Sequence, residues 1–255
     1  MKYFDKFWVC GIKLSIIMII LSAFTVVSNA QFMKKVDIAG GLSTCYILGD
    51  NPASLPMLQR DENKPAVQGG GFGIREPGFG LAATFNLDEE GDWRMPVTFD
   101  YYIFRSAQRV PVYRTLTALL YNEYDVASLS LGAKYSVLYF PLGNANIYIG
   151  AEAKGNIISQ STYKKRHDYQ NDALDTMAVY HWKDAAFRIG AAARIGLEGE
   201  IWGPWMINTS IAIGAMNLLL RDDSRGELLT PEKYLEDKET IMYNIFFSLL
   251  LQYKL

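Results

Sequence analysis

The chain has 255 residues, half of them hydrophobic, a fifth charged and 13% aromatic. That composition excludes a disordered segment, and the length excludes a small disulfide scaffold. Lys plus Arg at 25 against Asp plus Glu at 27, a net charge of -2, offers no basic excess for a nucleic-acid partner.

Residues 1–30 read as a cleaved secretory signal. Lys2, Lys6 and Lys13 make a cationic start, interrupted by Asp5, and an apolar run follows from Ile16 to Val27. Ser28-Asn29-Ala30 supplies the small residues of a cleavage point, with Gln31 as the new first residue. The run is shorter than the roughly 20 residues a membrane-spanning helix requires, so a retained anchor is the weaker reading. Cys10 falls in the removed segment and Cys45 is then alone, which predicts neither an intramolecular disulfide nor a cysteine-based metal site.

Beyond the signal, hydrophobicity alternates with period two, the signature of strands. It marks strands at Lys35–Leu48, Phe79–Leu87, Trp93–Phe104, Val126–Phe140, Ala145–Ile158, Ala185–Glu198, Trp205–Leu218 and Ile241–Leu255. The last is the plainest: Ile241, Tyr243, Ile245, Phe247, Leu249, Leu251, Tyr253 and Leu255 form one wholly apolar face. The connections alternate in length. Gly49–Gly78, Arg105–Asp125, Ser159–Asp184 and Leu219–Thr240 are long; Asp88–Asp92, Pro141–Asn144 and Gly199–Pro204 are short. A meander with one elaborated and one plain rim has this order, with both termini on the plain rim. Tyr113–Tyr121 also reads as strand, either extending a hairpin above the membrane or changing the strand count.

Alternation fits two opposite proteins, one with its apolar face inward and one with that face in lipid. The polar face separates them, because it is crowded with small residues such as Gly41, Gly80, Gly132, Gly150, Gly190, Gly196, Gly214, Ser128, Ser130 and Ser210. Glycine weakens a solvated strand but suits the narrow interior of a small barrel. Aromatic residues fall at both strand ends: Trp93, Tyr139, Phe140, Trp202, Trp205 and Tyr253 near the short turns, and Tyr46, Tyr101, Tyr102, Phe104, Phe187 and Tyr243 near the long loops. Such rings form the girdles of a membrane barrel. The predicted fold of residues 31–255 is therefore all-β: an eight-stranded antiparallel up-and-down transmembrane β-barrel with short periplasmic turns and four long extracellular loops.

From Lys35 to Leu255 the chain resembles the small eight-stranded outer-membrane barrels of the OmpA membrane-domain and OmpX type. The resemblance rests on this architecture and on Phe247, Leu249, Leu251 and Tyr253 of the final strand. It implies an outer-membrane location, surrounding outer-membrane lipid, and recognition of the last strand by the barrel-assembly machinery. The family usually ends in an aromatic residue, where this sequence has Leu255.

The alternation sends Asp37, Arg94, Asp100, Lys134, Glu152, Lys154, Arg188 and Arg194 into the lumen, with Lys35, Glu198 and Lys254 as further candidates. Buried charges must be paired or hydrated, so this set reads as an interior filling of ion pairs. Eight strands enclose little more than their own side chains, which argues against a general diffusion pore.

The long loops are the variable binding elements on this scaffold, open to an extracellular partner. The first carries Pro52, Pro56, Pro65, Pro77 and Gly69-Gly70-Gly71. The third carries Lys164-Lys165-Arg166-His167-Asp168, either a solvated stretch or a basic cluster for anionic groups. In the fourth, Thr230-Pro231-Glu232 ahead of Lys233-Tyr234-Leu235-Glu236 reads as a helix start. His167 and His181, with Asp168, Asp184, Ser159 and Ser161 nearby, have no spacing that makes a triad, and no nucleophile-elbow motif occurs. No catalytic, cofactor or metal residue is assigned. The expected function is non-enzymatic, structural support or loop-mediated binding at the cell surface. The alternatives are a narrow channel or carrier for small or hydrophobic solutes and, more remotely, a lipid-modifying enzyme.

Overall fold

A computed structural model describes residues 36–58, 67–88, 90–113, 116–141, 143–169, 175–232 and 238–255. The signal segment, Lys35 and residues 233–236 of the expected loop helix lie outside the described residues. In chain order the strands are β1 (Val36–Ile47), β2 (Met57–Leu58), β3 (Val67–Gln68), β4 (Glu76–Asn86), β5 (Trp93–Tyr113), β6 (Leu116–Phe140), β7 (Ala145–Ile158), β8 (Thr162–Tyr169), β9 (Thr176–Tyr180), β10 (Ala186–Trp202), β11 (Trp205–Leu219) and β12 (Tyr243–Lys254).

Eight of these are staves of one closed antiparallel ring, β1-β4-β5-β6-β7-β10-β11-β12, in which each stave pairs with the next along the chain and β12 returns to β1. Closure removes both sheet edges, the only way a sheet can satisfy its backbone in hydrocarbon. The two faces then decide the environment. On β1, Leu42 is 67% exposed and Ser43 2%; on β6, Leu129 is 60% exposed and Ser128 1%. Apolar side chains line the outside of every stave, while the inside gathers the small and charged ones together with a few buried aromatic and apolar side chains, the reverse of a barrel in water. The fold is a transmembrane β-barrel.

Trp93, Tyr139, Phe140, Trp202, Trp205 and Tyr253 are exposed around the short-turn rim, where Trp93 packs on Tyr135 at 4.9 Å and Trp205 on Tyr253 at 4.9 Å. At the other rim Phe187 and Tyr243 are exposed on the outer wall. Tyr102 and Phe104 are not part of that outer ring: both are fully buried inside the barrel. They share the parity of Arg94 and Asp100, so the strand's own period turns them inward.

The second long connection is also corrected. β5 and β6 stay paired past the membrane, from Arg105 opposite Glu123 up to Tyr113 opposite Leu116. Alternating apolar residues there continue the ladder, so the stretch lengthens a hairpin and leaves the ring at eight. β8 then pairs with the outer part of β6, and β9 with β8, building a four-stranded extracellular sheet β5-β6-β8-β9.

Candidate functional site

The lumen holds three stacked layers. In the layer nearest the short turns, Glu198 accepts hydrogen bonds from both Arg94 and Lys134, which bracket its carboxylate. Asn208 adds a third donor at 2.9 Å and passes a bond to Gln252, whose amide reaches Asp37 at 3.0 Å. The Tyr148 hydroxyl donates to Asn208 at 2.9 Å. That ring occupies space only glycine leaves free, because a Cβ on Gly196 would lie 2.4 Å from it.

Above it, Arg194 pairs with Glu152 at 2.8 Å and also donates to Ser210 at 2.7 Å. Lys154 lies 3.2 Å from Glu152, 3.6 Å from Asp100 and over the ring of Phe246 at 4.2 Å. Each cation of these two layers has a carboxylate partner, which offsets the desolvation that isolated burial would impose. One cavity of about 40 Å³ separates the layers, room for a water-sized group.

The third layer closes the outer mouth. Phe72 from the first long loop and Leu228 and Leu229 from the fourth pack against Tyr102, Phe104, Tyr124, Met216 and Phe246 in one buried apolar cluster. Backbone of the first loop folds on itself to reach it: Gly70 N–H donates to Pro52 O and Phe72 N–H to Ala53 O, both at 3.0 Å. Gly71 takes φ +74°, and a Cβ on Gly70 would lie 2.3 Å from Ala53 O, so the Gly69-Gly70-Gly71 run is what lets the loop turn inward. Polar bonds pin this cork. Tyr124 donates to Thr230 O at 2.7 Å, Ser106 to Gly70 O at 2.7 Å, and Lys183 to Glu227 O and Thr230 Oγ1 at 2.6 and 2.7 Å. Arg188 clasps Glu239, which also accepts from Asn217 at 2.8 Å.

Thus Asp37, Arg94, Asp100, Lys134, Glu152, Lys154 and Arg188 are all buried inside the barrel, with Arg194 half-buried beside them. They fall in separate layers, with Arg188 in the cork. Glu198 belongs with the inner set as the hub of the first layer, whereas Lys254 is exposed at the end of β12, opposite Asp37. Sequence reasoning missed Glu239, Asn217, Lys183 and the apolar cork residues. Glu239, Lys183, Phe72, Leu228 and Leu229 sit in aperiodic loops, Asn217 sits at the outer end of β11, and only the unusual apolarity of Leu228-Leu229 hinted at burial.

The basic stretch of the third loop is strand β8, and two of its cations are met by acids: Lys164 with Glu123 at 2.6 Å, and Arg166 with Asp168 and Asp175 at 2.6 and 3.2 Å. On the opposite face Tyr163, Tyr180 and Trp182 stack, with Tyr163–Trp182 and Tyr180–Trp182 centroids 4.8 and 4.9 Å apart. Burial, aided by the negative charge of Glu232, pushes the Tyr163 hydroxyl up to about 12. His181 contacts Ser161 O at 2.9 Å and His167 contacts Thr176 at 3.3 Å. Among the described residues no cluster suits a metal ion.

No family model matches the sequence, and no curated protein matches it. Among solved structures, the chain is similar to Ail, the attachment invasion locus protein of Yersinia pestis, crystallised with the heparin analogue sucrose octasulfate. That likeness has a TM-score of 0.42 at 11% identity and covers 87% of this chain and 98% of the other. It is also similar to Neisserial surface protein A, with a TM-score of 0.40 at 10% identity over 87% of this chain and 95% of the other. The resemblance to small eight-stranded outer-membrane barrels stands on the closed ring and its apolar belt.

Proposed function

We propose that this protein is a non-enzymatic outer-membrane barrel, exported by residues 1–30 and delivered through recognition of its last strand, whose work is done by its extracellular sheet. The lumen is a filled strut. One observation carries the reading: the loops that close the mouth also brace the four-stranded sheet, through Ser106, Asn122 and Tyr163 bonded to Gly70, Leu229 and Gln68. A sheet held this firmly is preorganised for a partner, which lowers the ordering cost of binding.

The recognition surface is the outer strand β9. Among the described residues it pairs on one side only, and Met177, Val179 and Tyr180 are exposed. Its sequence Thr176-Met177-Ala178-Val179-Tyr180 has no proline or charge of the kind that protects a free edge, so an extended peptide of a partner can add to it. A display library of random peptides panned against the protein in nanodiscs tests this. Enriched extended peptides that lose binding to Ala178→Pro are the expected result. Stable ion-selective steps in planar bilayers, or altered acyl patterns in cells expressing the protein, would replace this reading with a channel or an enzyme.

A further inference from the structure

The cavity between the two ion-paired layers has a positive wall. It is lined by Lys134 and Arg194 against the single carboxylate of Glu152. That carboxylate is already divided between Arg194 and Lys154, just as Glu198, behind Lys134, is divided between Lys134 and Arg94. Asp37, the remaining acid of the first layer, is bonded to Gln252 and faces Lys254 at the end of β12. Positive charge is therefore in excess around the cavity, and an excess of charge away from bulk water is costly unless an opposite ion answers it.

Hydrogen-bond donors are in surplus at the same place. Arg194 donates to Ser210 at 2.7 Å and to Ser248 at 3.3 Å, and the two hydroxyls bond each other at 2.6 Å. One bond between two hydroxyls uses one hydrogen and leaves the other to point elsewhere. Thr98 and Ser130 form a second such pair. Lys134 has three N–H groups to place; one meets Glu198, and the ammonium lies 4.8 Å over the Tyr148 ring. Ser210, Ser248, Thr98 and Lys134 all line the cavity. A water there needs acceptors for its own hydrogens, whereas a monatomic anion only accepts. The volume of about 40 Å³ is roughly three times what one water-sized sphere occupies, enough for a halide ion and too little for a phosphate with its oxygens.

We propose that the cavity between the layers is a binding site for a monovalent, monatomic anion of chloride's size. Lys134 and Arg194 hold the ion by charge, and hydroxyls of Ser248 and Thr98 complete its shell. It enters from the short-turn end, because the apolar cork closes the other mouth. Once bound, it ties the two layers of the strut together across a gap that their side chains do not bridge.

The test uses the full barrel in phosphatidylcholine vesicles, unfolded by urea in sodium chloride or in sodium gluconate at equal ionic strength. Gluconate is too large for the cavity. Chloride is expected to stabilise the barrel saturably, raising the folded-to-unfolded ratio roughly ten-fold once it reaches ten times its dissociation constant. Crystals grown in sodium bromide are expected to show an anomalous peak between Lys134 and Arg194. Ala82→Leu, which fills the cavity and keeps every charge, should abolish the chloride dependence. Thr98→Val, which removes a donor, should weaken the apparent affinity roughly five-fold. Arg166→Gln, on the extracellular sheet, should leave the dependence unchanged. Heat-dependent gel mobility verifies that each variant is folded; if Ala82→Leu fails to fold, Thr98→Val decides. Equal stability in the two salts, a chloride dependence untouched by the cavity variants, or a cavity without bromide would mean that water fills the space or that ions act only at the surface. Any of these overturns the proposal.

Discussion

Arg188 on β10 grips Glu239, in the segment ahead of β12, with two nitrogens: Nε to Oε1 at 2.7 Å and Nη2 to Oε2 at 2.6 Å. Both side chains are almost fully buried. The pair ties the fourth long loop to the wall at the edge of the apolar cork. Replacing one partner strands the other charge, a loss of about 3–5 kcal/mol for a buried pair. Glu239→Gln and Arg188→Met should each lower the urea midpoint of unfolding from vesicles. The double replacement should cost clearly less than the sum of the two.

A second prediction concerns the fit of Tyr148 over Gly196. With a Cβ only 2.4 Å from that ring, Gly196→Ala forces the tyrosine out of place, at about 1–3 kcal/mol. In a Tyr148→Ala background the same methyl group has room and should be nearly neutral. A double-mutant cycle on unfolding free energy measures the difference, and a Gly196→Ala cost that persists without the ring would contradict this packing.

The outward apolar belt predicts a depth profile. Leu131 lies midway along the spanning part of β6, and Ile201 lies at the short-turn rim of β10; both are exposed. Arginine at Leu131 should cost about 2–4 kcal/mol and at Ile201 about 0–1 kcal/mol, the contrast between hydrocarbon and interface. Equal and negligible costs at both positions would place the outer face in water.

Asp175 supplies a pH dependence outside the membrane. The Tyr169 amide donates to its carboxylate at 2.9 Å and Arg166 lies alongside, and together they hold its pKa below the usual carboxylate value. A depressed carboxylate stabilises the fold above its ordinary pKa, and that help is lost as pH falls through the lowered value. The β8–β9 hairpin should therefore loosen below about pH 4 while the barrel stays intact. The site is exposed, so the effect is small and local. Amide exchange at Tyr169, corrected for its intrinsic rate, should rise in acid, and Asp175→Asn should give the same rise at neutral pH.

The staves were legible because each faces two media, and a strand between two media must alternate. All eight expected strands coincide with staves, and Asp37, Arg94 and Lys134 carry the parity that sends them inward. Reading that parity two steps further would also have turned Tyr102 and Phe104 inward, but their position near a rim invited assignment to a girdle. The reach of β5 and β6 above the membrane was visible in Tyr113–Tyr121 only as an ambiguity, since alternation persists wherever one sheet face is covered, by lipid or by a loop. The cork was not legible. Phe72, Leu228 and Glu239 are brought together by loops whose path depends on glycine geometry and side-chain bonds, and neither has a period.

The first and last staves are zipped to one another, with Asp37 opposite Lys254 and Ile47 opposite Asn244. Those partners stand nearly the whole polypeptide apart, so the cylinder can be sealed only after the final stretch has left the ribosome and crossed to its destination. Until then two naked hydrogen-bonding margins and a greasy exterior travel through water together. The yield of correctly inserted protein is thus decided in transit, by whatever shields those margins, as much as by the stability of the finished object.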